Sequence, residues 1–106
     1  MKKEYVAIIK KAIKELGDKE WKVDNDGKIW WKYVSETKPA FEMFVGKEHD
    51  DGDGTYTRVF ATDLTMNEVF KYTYAGTDKW LCTSKTVEEA IYAVAQSVVK
   101  TAKSLY

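Results

Sequence analysis

Trp30 and Lys32 stand at alternate positions of one strand-like run, and Tyr56, Arg58 and Phe60 do the same in another. Alternation places such residues on one face of a strand. A flat π surface beside a positive charge can stack on a ring or a base and hold an anion, which suits a contact surface better than bond-making chemistry. Trp31, Tyr33, Tyr72 and Tyr74 add rings in the same and neighbouring runs. Together with Trp30, Lys32, Tyr56, Arg58 and Phe60 they make up the candidate binding residues. The chain has four tryptophans, seven tyrosines and four phenylalanines, more than one sheet face packed on helices can use, since only about half of the side chains of a strand point to that face.

Ion chemistry is poorly supported. Asp24, Asp26, Gly27 and Ile29 fall at the third, fifth, sixth and eighth places of a calcium loop, but Lys22 then holds the first place and Tyr33 the twelfth, where a bidentate glutamate belongs. A tight hairpin turn with Gly27 at positive φ accounts for the same residues. His49, Asp50, Asp51 and Asp53 crowd a second glycine-rich loop, whose twelfth position is Phe60. That loop reads as a solvated hairpin tip or an acidic docking patch for a basic partner. No metal site and no cofactor are expected.

Catalytic groups are equally sparse. His49 is the sole histidine and Cys82 the sole cysteine. No zinc set can be built from them, and Cys82, beside Trp80 and Leu81, reads as a small hydrophobe in a strand. No phosphate-cradling glycine loop occurs. The reading is of a protein that is not an enzyme.

Composition bounds the rest. With 44% hydrophobic and 32% charged residues, one proline and six glycines in 106 residues, the chain belongs with folded globular domains and has length enough for one core. A lone cysteine cannot form an internal disulfide, which fits a reducing, cytoplasmic setting. Lys10, Lys11 and Lys14 interrupt any signal-peptide core, and no run approaches the roughly 20 apolar residues of a membrane span. Formal net charge is zero, with seven lysines against four acids in residues 1–22 and six acids against Lys47 and Arg58 in residues 42–63. Such a dipole disfavours non-specific duplex binding, which needs several cations on phosphate.

The elements that must position these residues follow from periodicity. Tyr5, Ile9, Ala12, Ile13 and Leu16 recur at helical spacing over 3–16, and Gly17 stops that helix. Thr86-Val87-Glu88-Glu89 has capping-box form and opens a helix to about Leu105, with Val87, Ile91, Val94, Ala95, Val98, Ala102 and Leu105 as its apolar stripe. Between them, strand-like runs lie near 20–24, 28–34, 41–47, 55–62, 68–75 and 79–83. Alternation puts Ile29, Trp31 and Tyr33 on one face of their strand and Phe70, Tyr72 and Tyr74 on one face of another. Short connections make neighbours antiparallel. The expected fold is α+β: one domain over 1–106, with an antiparallel meander of five or six strands and the N-terminal and C-terminal helices on one face.

The function expected from this pattern is non-catalytic protein binding through the aromatic sheet face, on the scale of the small accessory or inhibitor proteins of phages and mobile elements. The partner is another protein or a second copy of the chain. A single-stranded nucleic-acid binder using the same surface is the alternative.

Overall fold

A computed structural model describes residues 1–17, 19–31, 41–50, 52, 54–64 and 68–105, with Ser104 and Leu105 described by their backbone alone. In chain order these form α1 (Lys3–Glu15), β1 (Trp21–Val23), β2 (Lys28–Trp31), β3 (Phe41–Asp50), β4 (Thr55–Asp63), β5 (Glu68–Gly76) and α2 (Val87–Leu105). The strands form one antiparallel sheet in the order β1-β2-β3-β4-β5, and both helices pack on a single face of it. The expected α+β meander of five or six strands is the observed one, with five strands among the described residues.

Among the described side chains, both helices pack the stripe that their spacing specifies against the core. Ile9, Ala12 and Ile13 of α1 join Ala90, Ile91, Val94, Ala95, Val98, Val99 and Ala102 of α2 in the core, and Val6 of α1 is buried as well. From the sheet, Trp21, Ile29, Phe41, Met43, Val59, Ala61 and Ala75 complete it. Gly17, at φ 71°, ends α1 and donates its N–H to the Lys14 carbonyl at 3.0 Å. At the start of α2 the Thr86 hydroxyl accepts from the Glu89 N–H at 3.2 Å, while the Glu89 carboxylate accepts from the N–H of Lys85, one residue earlier than a regular capping box requires.

The calcium-like segment is a hairpin turn. The Asp24 carboxylate accepts from the N–H groups of Asp26 and Lys28, each at 2.9 Å, and Gly27 sits at φ 83°. Asp24 therefore spends one oxygen on the turn's own backbone, which is the local use its spacing from Gly27 suits.

The segment over 79–83 is a correction. Residues 77–83 form a turn, not a strand, because the Asp78 carboxylate accepts from the N–H groups of Trp80 (2.9 Å) and Leu81 (3.1 Å) and the Asp78 carbonyl accepts from Cys82 N–H (3.1 Å). Cys82 is accordingly half-buried in a turn, its Sγ 3.9 Å from the Thr55 carbonyl oxygen. Beyond it, Ser84 bridges Ala75 in parallel, Gly76 N–H donates to the Ser84 carbonyl (2.9 Å) and Thr83 N–H to the Tyr74 carbonyl (3.1 Å). The returning chain thus lies along the outer edge of β5 on its way to α2.

A polar clasp joins the helices where their apolar stripes end. The Tyr92 hydroxyl donates to the Glu15 carboxylate, and the Gln96 amide donates to the Tyr92 oxygen (2.9 Å) and to the Ala12 carbonyl (3.3 Å). The hydrogen bond to Glu15, followed by burial and the charge of Glu15, raises the Tyr92 phenol above its ordinary value. A pKa raised on folding favours the folded state below the unfolded phenol's value of about 10 and loses that contribution as pH climbs through the folded value. Urea midpoints measured from about pH 8 to about pH 11 should therefore fall more steeply for the wild type than for Tyr92→Phe; parallel slopes would show that the clasp does not couple to folding.

Candidate functional site

The sheet face opposite the helices carries the aromatic side chains in ladders set by register. Phe44, Phe60 and Tyr72 stand opposite one another across β3, β4 and β5; Arg58 faces Tyr74; His49 faces Tyr56. Phe44 and Phe60 stack at 5.1 Å between centroids, and His49 stacks on Tyr56 at 5.0 Å. Tyr74 meets Tyr56 edge-on at 5.8 Å and Tyr72 at 6.0 Å. Offset and edge-to-face arrangements of this kind add to what burial alone contributes.

Arg58 is the hub. Its guanidinium lies 4.7 Å from the Phe60 ring centre and 5.4 Å from that of Tyr72. Its Nε is buried with no hydrogen-bond partner, and among the described residues no carboxylate forms an ion pair with it. On the β3 side the pairing register shifts between Val45 and Glu48. Gly46 falls in that irregularity, and a Cβ there would stand 3.2 Å from the Arg58 carbonyl oxygen and 3.5 Å from its Cβ. The missing side chain lets β3 pass close beside the arginine. Tyr72, 61% exposed, is the most open ring of the face.

The structure brings Tyr56, Arg58, Phe60, Tyr72 and Tyr74 together as the sequence suggests, and adds Phe44 and His49. Trp30 shares the face at its far side, paired across from Lys22 and half-buried, with its indole N–H buried and unpartnered. Trp31 is a correction to the candidate set: it turns to the helix side, packs against the core and stacks on Trp21 at 6.4 Å. Lys32 and Tyr33 lie outside the described residues.

Phe70 also departs from expectation. A second register shift, between Ala61 and Thr62, breaks the alternation of β5, so Phe70 reaches the core side and packs on Phe41 at 4.9 Å while Tyr72 and Tyr74 stay outside. Simple alternation cannot anticipate an inserted residue.

Of the acidic loop, His49 and Asp50 end β3, and Asp50 accepts from Gly52 N–H at 3.1 Å. Asp51 and Asp53 lie outside the described residues. Among those described, no three acidic, histidine or cysteine side chains converge in a way that could hold a metal ion.

Two residues that the sequence reading placed in a strand turn out to be exposed. Trp80 is 87% and Leu81 41% exposed, held out by the Asp78 turn at the Gly76 end of β5. The sequence signal was an Asp two residues ahead of an aromatic, the spacing of an Asx turn.

Among the described residues no helix is long and apolar enough to cross a membrane. Compared with known proteins, the chain matches no family model, no curated protein and no solved structure.

Proposed function

We propose that the chain is a non-catalytic protein-binding module, an accessory or inhibitor protein in character, whose contact surface is the outer sheet face around Arg58. The observation that carries this reading is the stacked arginine without an ion pair among the described residues. A guanidinium lying against two rings has lost much of its freedom before any partner arrives, so less is lost on binding. Its fitting partner is a protein surface that presents a carboxylate framed by apolar side chains, the former meeting Arg58 and the latter Tyr72, Tyr74 and Phe44. Tyrosine and arginine are the residues that most often dominate such contacts.

A photoreactive amino acid at position 72 should cross-link a protein partner, whereas the same group at the exposed Lys100 position on α2 should not. Tyr72→Ala and Arg58→Ala should each weaken the recovered complex by about 2 kcal/mol, roughly thirtyfold, while Tyr72→Ala melts close to the wild type. Rings interleaved with a cation also suit unstacked bases. If oligonucleotides of about 10 nucleotides instead quench tryptophan emission at low salt, with affinity falling steeply as salt rises, the surface serves single-stranded nucleic acid and the protein-binding reading is wrong.

A further inference from the structure

β2 is much shorter than β3, and the mismatch leaves a notch inside the sheet. Among the described residues β2 pairs with β3 at Ile29↔Phe41 and Lys28↔Glu42, and the last contact on that side is the Met43 N–H donated to the Gly27 carbonyl at 2.9 Å. The chain then turns away into the Asp24–Gly27 hairpin turn, while β3 runs on to Asp50, paired among the described residues with β4 alone. In an antiparallel strand the N–H and C=O of one residue point the same way and those of the next point oppositely. Since the Met43 N–H points toward β2, the N–H and C=O of Val45 open on that same edge, where no described residue meets them.

Beside this edge lies a groove of about 690 Å³. Met1, Lys2, Tyr5, Lys28, Val45 and Val87 are among the residues that line it. Residues 44–50 would span about 20 Å if fully extended, and the register shift between Val45 and Glu48 bends that stretch.

We propose that this notch is a strand-addition site that accepts an extended segment of another protein, apolar at the positions that meet Tyr5, Val45 and Val87. The backbone chemistry selects the occupant: a free N–H and C=O on a strand edge are matched by the ladder of an extended polypeptide. A second copy of this chain fits badly. A two-fold axis centred on residues 44–50 sets Lys47 against its own copy, and like charges directly opposite are destabilising. Lys47, Glu48, His49 and Asp50 are all exposed along this stretch, a charged guard of the kind that keeps edges from pairing with themselves. This site uses backbone groups of β3 and does not depend on the Arg58 face.

The test uses the whole chain and random seven-residue peptides displayed on phage, with recovered peptides synthesised. A bound peptide should slow hydrogen exchange of the Val45 amide at saturation. Val45→Pro removes the edge N–H without touching the β3–β4 ladder, because that N–H faces away from β4. Affinity should fall about tenfold for Val45→Pro, yet hold within about threefold for Val45→Ala, which trims the side chain and keeps the donor. Equal binding to Val45→Pro and Val45→Ala, or recovered peptides that leave Val45 exchange unchanged, would overturn the proposal. So would protection of Val45 that grows with protein concentration in the absence of peptide, since the occupant would then be a second copy. Should Val45→Pro fail to fold, the exchange measurement on the wild type decides alone.

Discussion

Ile91→Asp should abolish the cooperative unfolding transition and leave the chain unfolded at about 25 °C. Ile91 has no exposed surface and sits in the middle of the α2 stripe against α1 and the sheet. A carboxylate there must either stay charged in an apolar core or take up a proton, and each route costs several kcal/mol against a total stability of about 5–15 kcal/mol for a domain of this size. Ile91→Val, which removes one methylene, should cost only about 0.5–1.5 kcal/mol. Circular dichroism during heating separates the two. A melt of the Asp variant near the wild-type temperature would mean that α2 docks peripherally.

Gly76→Ala should cost about 2–4 kcal/mol, well above what a surface substitution does. Gly76 adopts φ 141°, a conformation essentially reserved for glycine, and a Cβ added there would lie 2.2 Å from the Thr55 carbonyl oxygen. That oxygen is already in use, accepting from Thr77 N–H (2.9 Å) and Asp78 N–H (3.2 Å). The clash therefore pushes apart the β4–β5 junction and the turn that carries Trp80. Gly52→Ala is the matched control: φ is 89° there but no atom lies within 4 Å of the new Cβ. It should cost about 1 kcal/mol, the backbone strain alone. Urea midpoints of the two variants that coincide would show that strain, and not the contact with Thr55, sets the cost at Gly76.

The helices were legible because 3.6-residue periodicity constrains many positions at once: Ile9, Ile13, Ile91, Val94 and Val98 each repeat the same message, and all are buried. The Asp24 to Gly27 turn was legible from local chemistry. What stayed hidden depends on single insertions and single side chains. Neither the shift after Val45 nor the one after Ala61 leaves a mark in the hydropathy pattern, yet the second sends Phe70 to the core side while Tyr72 stays outside. Trp80-Leu81-Cys82 has the composition of a strand, and one buried carboxylate, Asp78, at 3% exposure, overrides it by binding two backbone N–H groups. Trp30 and Trp31 were legible as a pair on opposite faces, but which of them met the helices was decided by Trp21 one strand away. The core of the site, Tyr56, Arg58 and Phe60, followed from plain alternation within β4, whose burial alternates along its length.

The hydrogen bonds that Thr83 and Ser84 make to residues 74–76 also bear on how this sheet could polymerise. Head-to-tail fibre growth needs two complementary free edges per molecule, one to receive and one to give. Along residues 74–76 the backbone groups of β5 are already taken by the returning chain. A neighbouring strand therefore cannot pair along residues 74–76 of β5, and any growth of the sheet on that side is confined to the stretch from Glu68 to Thr73.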